Sequence, residues 1–287
     1  MGRAYLAITI TTVLWAINFT VGKIGTGEID PFFIASFRII VTGVVFYLML
    51  PAGERKITKS DLKTILPLSL TGIAINHLCF AYGISLTTPS HSAIIHAIFP
   101  VFVGIVAWIF TRERQGPIAL LGMAVAVAGA VGVVVGATRD EATKTLLGDV
   151  ISTGGVVAFS FYTVFGRKAV QAMSSRRMVA LAFLFAAPFL VPFLVWGMVR
   201  QPSWGAVTLG GWLSLGYMLV FANMVCYLLH SFALTRLKAN QVAAFTDLQP
   251  AIGITVAVLA GLDHLTVPLA VGAAVALVGV VIVQFHP

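Results

Sequence analysis

The stretch HSAIIHAIFPVFVGIVAWIFTRERQGPIALLGMAVAVAGAVGVV, residues 91–134, decides the fold because it recurs later in the chain. Its counterpart is NQVAAFTDLQPAIGITVAVLAGLDHLTVPLAVGAAVALVGVVIV, residues 240–283. Each copy has a proline-centred apolar run, a short polar turn and a second apolar run of small residues. Pro100 and Pro250 lie 150 residues apart, and so do Gly129 and Gly279. Such duplication of membrane-spanning segments is typical of secondary transporters.

The composition excludes an ordinary water-soluble domain. Hydrophobic residues make up 59% of the 287 positions and charged residues only 10%, whereas a soluble domain carries about 25% charged residues. The net charge of +8 does not indicate nucleic-acid binding, because the basic residues lie in short loops between apolar runs, where they set membrane topology. There is no GxxxxGK[ST] phosphate-binding loop, so we expect any energy to come from a gradient and expect no cofactor.

Apolar runs of about 20 residues predict membrane-spanning helices. The sequence predicts an all-α integral membrane protein with ten such helices, arranged as two inverted repeats of five. The first repeat would be residues 1–143 and the second residues 144–287, forming one transmembrane unit. The predicted spans are Ala4–Gly22, Pro31–Leu50, Ile65–Ile84, Ser92–Phe110, Pro117–Val135, Gly148–Phe165, Met178–Val199, Leu209–Leu234, Val242–Leu262 and Val267–Phe285.

The loop charges orient these spans. One side would hold 13 basic residues, namely Arg3, Arg55, Lys56, Lys59, Lys63, Arg112, Arg114, Arg167, Lys168, Arg176, Arg177, Arg236 and Lys238. The other would hold 4, namely Lys23, Arg139, Lys144 and Arg200. The basic side is predicted to be cytoplasmic and to carry both termini. The turn after the ninth span has Asp263 and His264 but no lysine or arginine, as an inverted second repeat requires.

Polar and aromatic residues recur at helical spacing in both halves of the chain. Trp15, Asn18 and Phe19 in the first span match positions 144 residues later, and His77 and Phe80 match positions 150 residues later. Because polar groups within a membrane are costly unless they face partners or water, these faces predict a central substrate cavity. Its predicted residues are Trp15, Asn18, Phe19, Asn76, His77, Phe80, Tyr82, Phe99, Phe159, Tyr162, Asn223, Tyr227, His230, Gln241, Phe245 and Gln249.

Other arrangements of the same residues stay open. Polar and aromatic faces also serve interhelical hydrogen bonding and core packing. Arg38 and Asp247 would form an ion pair, or one of them would meet a charged substrate group or couple a proton. Pro100 and Pro250 are predicted to lie mid-helix, as transport hinges or as ordinary tolerated prolines.

Small residues four apart predict close helix packing within the monomer. The pairs are Gly132 with Gly136 and Gly272 with Ala276. A metal site is not expected, because the spacings of His77, His91 and His96 match no known ligand motif.

The chain resembles the drug/metabolite transporter superfamily, and within it the EamA-type bacterial exporters. The residues that carry the resemblance are Trp15–Phe19, Arg38, and Ala93–Pro100 with Glu113, which Ala243–Pro250 and Asp263 mirror. The resemblance covers essentially the whole chain and implies a ten-helix exporter of the bacterial inner membrane. Within that group the chain is most similar to aromatic amino acid exporters.

The resulting hypothesis is a non-enzymatic exporter of small metabolites, foremost aromatic and other apolar amino acids, which works by alternating access. The expected partners are a small-molecule substrate and membrane lipid, with no nucleic acid. We expect a monomer, with a dimer as the alternative. The rival functions are a multidrug or nucleotide-sugar carrier of the same fold, an intramembrane enzyme, and a non-catalytic membrane assembly subunit.

Overall fold

The fold is a bundle of helices. The computed structural model describes residues 2–112, 116–135, 142–245 and 248–285, and no strand occurs among them. The helices are α1 (Gly2–Glu28), α2 (Pro31–Met49), α3 (Lys59–Leu86), α4 (Pro89–Thr111), α5 (Pro117–Val135), α6 (Ala142–Ala172), α7 (Ser175–Arg200), α8 (Leu209–Leu234), α9 (Ala239–Phe245), α10 (Gln249–Leu259) and α11 (Val267–Phe285).

Within the described residues, seven helices are long and apolar enough to cross a membrane: α1, α2, α3, α4, α6, α7 and α8. Shorter apolar stretches coincide with α5, α10 and α11. The chain is therefore a multi-pass membrane protein, and the predicted number of ten spans stays a prediction. Several helices extend past the predicted ends; α6, for example, reaches Ala172 and so includes Arg167 and Lys168, which we expected in a loop.

Two helices, α3 and α8, are wound more widely at mid-length. The segments Ser69–Ile75 of α3 and Met218–Val225 of α8 are π-helical. They end 150 residues apart, at the offset of the sequence repeat. A π segment interrupts the regular backbone hydrogen bonds of a helix and occurs frequently at functional sites.

The expectation that Pro100 and Pro250 lie within continuous helices is wrong. In α4 the backbone turns at Ile98 (φ −80°, ψ 3°), and a new helical segment starts at Phe99. Pro250 is likewise the second residue of α10. Proline has no N–H and its ring clashes with the carbonyl four residues earlier, so it is accommodated best in the first turn of a new helix.

The small residues of α5 and α11 pack backbone against backbone. A Cβ atom on Gly129 would overlap the backbone of Ala276, and one on Gly279 would overlap the backbone of Ala126. Gly272 and Ala276 therefore lie in this contact, as expected. Gly132 does not, because a Cβ there would meet no atom within 4 Å, and Gly136 lies outside the described residues.

Lys23 belongs to α1 and not to the loop in which we expected it. Its ammonium Nζ donates to the carbonyl oxygens of Ile84 (3.2 Å), Ser85 (3.1 Å) and Thr87 (2.7 Å). The last carbonyls of a helix have no partner within it, and a cation satisfies them well. Lys23 thus fixes the end of α3 against α1.

Helix α1 lies at the centre of the bundle. It contacts α3, α4, α8 and α10. Helices α2 and α7 pair closely at one flank, where Gly43 abuts the backbone of Phe183. This arrangement leaves a cavity beside the middle of α1.

Candidate functional site

A cavity lies where the middle portions of six helices and the first residue of α10 converge. About 610 Å³ of space lies between its walls, including the part that opens to solvent. The walls are formed by Trp15, Asn18 and Phe19 of α1, Arg38 of α2, Asn76, His77 and Phe80 of α3, His96 and Phe99 of α4, Val156 and Phe159 of α6, Ala222, Asn223 and Tyr227 of α8, and Gln249 of α10.

Aromatic rings in mutual contact form most of the wall. The Trp15 ring lies 5.5 Å from Phe159 and 5.9 Å from Tyr227, edge to face in both cases. Phe159 also contacts Phe99, with ring centroids 5.4 Å apart. Edge-to-face contacts at these distances are favourable, so the wall is ordered and offers ring faces to a flat or apolar guest.

Three polar side chains of the cavity form hydrogen bonds with backbone carbonyls of the π segments. The Tyr227 hydroxyl donates to the Gly72 carbonyl (3.0 Å), and His77 Nδ1 lies 2.8 Å from the Ile73 carbonyl oxygen. Across the cavity, the Trp15 indole N–H donates to the Ala222 carbonyl (3.0 Å). Because a buried carbonyl without a partner is costly, these contacts stabilise the wide turns.

Three further side chains have polar atoms with no hydrogen-bond partner among the described residues. They are Nε and Nη1 of Arg38, Oδ1 of Asn18 and Nδ2 of Asn223. All three residues line the cavity and are at most 5% exposed. These atoms leave hydrogen-bonding capacity for a guest molecule.

The structure brings most of the predicted site residues together. The cavity wall contains Trp15, Asn18, Phe19, Asn76, His77, Phe80, Phe99, Phe159, Asn223, Tyr227 and Gln249, together with Arg38. Their role in binding a substrate stays a prediction. The possible partner of Arg38, Asp247, lies outside the described residues.

Two predicted residues lie behind the aromatic wall. Tyr162 is fully buried, its ring stacks on Phe159 at 5.5 Å, and its hydroxyl lies 3.3 Å from Ser231 Oγ. His230 is also fully buried, with its ring 5.5 Å from Trp15. Both side chains support the wall and do not line the cavity.

Three predicted residues lie elsewhere. Tyr82 stacks on Phe32 at 5.0 Å; five residues after His77, it faces a different side of α3. Gln241 Oε1 accepts from the Lys238 backbone N–H (2.9 Å), and Phe245 packs on Tyr5 at 5.3 Å. Both residues belong to α9, whereas Gln249, which lines the cavity, is the first residue of α10.

The prediction missed His96, Val156 and Ala222. His96 packs on Phe19, with ring centroids 4.9 Å apart, and its Nδ1 lies 2.8 Å from the Ser92 carbonyl oxygen. A histidine three residues before Phe99 was a usable signal, although the turn at Ile98 hides which face it occupies. Val156 and Ala222 are small apolar residues whose types carry no comparable signal.

Comparison with known proteins finds relatives that are named as transporters or exporters. The chain is similar to an uncharacterized transporter of Archaeoglobus fulgidus, at 26% identity over 86% of both chains. It is also similar to a probable terminal-alkyne amino-acid exporter of Streptantibioticus cattleyicolor, at 26% identity over 99% of this chain and 94% of that one. A solved crystal structure shares the fold with a TM-score of 0.68 at 18% identity, covering 99% of this chain and 97% of that one.

The model of the EamA-like transporter family matches residues 2–135 and 146–285. These two segments contain every described residue of the cavity wall. The names of the family and of the relatives indicate a transporter and not an enzyme. The chain belongs to the EamA-like transporter family.

Proposed function

We propose that this transporter exports aromatic and other apolar amino acids from the bacterial cytoplasm by alternating access. The observation that carries the proposal is the cavity, where contacting aromatic rings surround a few unpaired polar atoms. Ring faces suit flat or apolar side chains, and the polar atoms suit the head group that all amino acids share. The described relative from Streptantibioticus cattleyicolor, named for amino-acid export, supports the same substrate class.

The proposed topology is ten membrane crossings in two inverted repeats, residues 1–143 and 144–287, with both termini in the cytoplasm. The excess of basic residues on one side supports this orientation. The π segments of α3 and α8 and the helix starts at Pro100 and Pro250 recur at the repeat offset, which supports the duplication. The two prolines would then mark pivots about which the halves rock.

The proposed carrier acts as a monomer in the inner membrane, without a cofactor. Its driving force is a gradient of the cargo or of a coupled ion. Arg38 is the one charged side chain among the described residues that line the cavity, so cargo with several negative charges, such as a dicarboxylate or a sugar phosphate, is disfavoured.

Accelerated counterflow tests the proposal directly. Purified protein is reconstituted into liposomes loaded with unlabelled amino acids, and labelled tryptophan or phenylalanine is added outside. We expect uptake that depends on internal aromatic or apolar amino acid and is absent with internal aspartate. Sealed vesicles containing folded protein that move none of these amino acids would overturn the proposed cargo and favour the multidrug or nucleotide-sugar alternative.

A matched pair of variants on α6 tests the role of the cavity. Phe159→Leu removes a ring that faces the cavity, and Phe161→Leu makes the same change where the ring packs on Phe110, 5.4 Å away. Losing an aromatic contact costs about 0.5–1.5 kcal/mol, so we expect Phe159→Leu to raise the half-saturating tryptophan concentration roughly 2- to 10-fold. Phe161→Leu should leave it unchanged, and an equal effect of both variants would contradict the cavity assignment.

A further inference from the structure

The guanidinium of Arg38 is buried without an anionic partner among the described residues. The side chain is 2% exposed, and its Nε and Nη1 atoms have no hydrogen-bond partner there. Its Cζ atom lies 5.7 Å from the centre of the Phe80 ring. The described wall of the cavity contains no aspartate or glutamate. A buried cation is costly without a paired anion, so an anion that entered the cavity would stabilise it.

Two amide side chains of the cavity also have a polar atom without a hydrogen-bond partner among the described residues. Asn223 keeps Nδ2 without a partner, while its Oδ1 lies 3.1 Å from His77 Nε2. On α1, Asn18 keeps Oδ1 without a partner. The cavity therefore offers guanidinium donors from Arg38 and an acceptor from Asn18, and the Asn223 amide, whose other end faces His77 Nε2, offers one further polar atom.

We propose that these three side chains bind the charged head group of an α-amino acid. Arg38 donates to the carboxylate, Asn18 accepts from the ammonium group, and the free polar atom of the Asn223 amide contacts the head group beside them. The inference rests on the proposed function and deepens it, because it makes a carboxylate a condition for recognition. A guanidinium is well suited to this role, since its planar donors match the two oxygens of a carboxylate.

The rest of the wall sets the complementary requirement. With a single cation on the described wall, the site suits one carboxylate and leaves a second anionic group without compensation. The rings of Phe99 and Phe159, in contact at 5.4 Å, then receive the side chain of the cargo. The predicted cargo is an amino acid with one carboxylate, one ammonium group and an apolar body.

Competition among indole compounds tests the head-group requirement. Tryptophan, tryptophanamide, tryptamine and indole-3-propionate are compared as inhibitors of labelled tryptophan counterflow by the unmodified transporter. Charge-assisted hydrogen bonds predict that tryptophanamide and tryptamine, which lack the carboxylate, inhibit about 10- to 150-fold more weakly than tryptophan. Indole-3-propionate keeps the carboxylate but lacks the ammonium group, so its inhibition should be weaker than that of tryptophan and stronger than that of tryptamine. Inhibition by tryptamine or the amide within about threefold of tryptophan would overturn the proposal.

Variants of Arg38 separate recognition from folding. Arg38→Gln should abolish the discrimination between tryptophan and tryptamine, whereas Arg38→Lys, which keeps the charge, should retain part of it. A purely structural role for Arg38 would lower transport of both compounds equally and leave their ratio unchanged, and that result would overturn the proposal.

Ligand-dependent thermal stability of the purified protein tests the head-group site separately from the export function. Ligands that bind the native state raise its melting temperature. We expect tryptophan to raise it in the unmodified protein and not in Arg38→Gln. Stabilisation that depends on both the carboxylate and Arg38, without flux in vesicles, would reject the export function and retain the head-group site. Flux accompanied by equal stabilisation from tryptophan and tryptamine would retain export and reject the head-group site.

Discussion

Gly129→Ala is expected to destabilise the transporter strongly, although it adds a single methyl group. The new Cβ would overlap the backbone of Ala276 on α11, and a backbone cannot move aside as a side chain can. Overpacking of this kind typically costs about 1–3 kcal/mol. We expect a lower melting temperature and less monodisperse protein in detergent, measured by fluorescence-detected size-exclusion chromatography after heating.

The matched control is Gly132→Ala, one turn further along α5. A Cβ at that position would meet no atom within 4 Å, and replacing glycine by alanine in a helix is otherwise favourable by about 0.5–1 kcal/mol. The melting temperature of Gly132→Ala should therefore stay level or rise. Gly279→Ala, which faces Ala126 in the mirrored contact, should behave like Gly129→Ala. Equal stability of Gly129→Ala and Gly132→Ala would contradict the packing described here.

Arg177→Met is expected to produce the second large effect, at the end of the bundle where α3 and α7 begin. Two guanidinium nitrogens of Arg177 donate to the Asp61 carboxylate at 2.8 and 2.7 Å, and the arginine also donates to the carbonyls of Glu54 and Lys56. The Asp61 side chain is 6% exposed. Removing one partner of a buried ion pair costs about 3–5 kcal/mol. A residual exposure of 15% at Arg177 places the expected loss at about 3 kcal/mol, at the lower end of that range.

The neighbouring arginine supplies the control for this prediction. Arg176 is 67% exposed on its side chain and lies 3.6 Å from Glu54, and exposed pairs contribute about 0–1 kcal/mol. We expect Arg176→Met to melt at the same temperature as the unmodified protein and Arg177→Met to melt at a lower temperature. Similar losses in the two variants would show that this end of the bundle depends on overall charge and not on the Arg177–Asp61 contact.

The sequence predicted the helices better than their ends. Apolar length and proline positions depend on local physics, and they located the long helices and the starts of α2 at Pro31 and α5 at Pro117, but they missed the new helical segments that begin beside Pro100 and Pro250. Lys23 shows the limit: a basic residue past an apolar run suggests a loop, yet α1 continues to Glu28 because Lys23 finds partners at the end of α3. Such a partner is distant in sequence and leaves no local trace.

The cavity was predictable where a helix is regular. Trp15, Asn18 and Phe19 share one face of α1 by spacing alone, and all three line the cavity. Spacing also places Tyr82 on another side of α3 from His77, so its inclusion was avoidable. Gln241 differs, because placing it beside Gln249 assumes that one helix contains both residues, and α10 starts at Gln249. Residue spacing predicts which face of a helix a side chain occupies only as long as the helix is regular and continuous.

The π-helical segments of α3 and α8 have a consequence for how substrate binding could affect the protein backbone. Their carbonyls at Gly72, Ile73 and Ala222 are held by Tyr227, His77 and Trp15, the same side chains that surround the cargo space. A guest that displaces one of these rings also releases a stretch of main chain. Because the same side chains line the cavity and contact the backbone of two long helices, cargo that moved one of these rings would act on a helix directly, without an intervening residue.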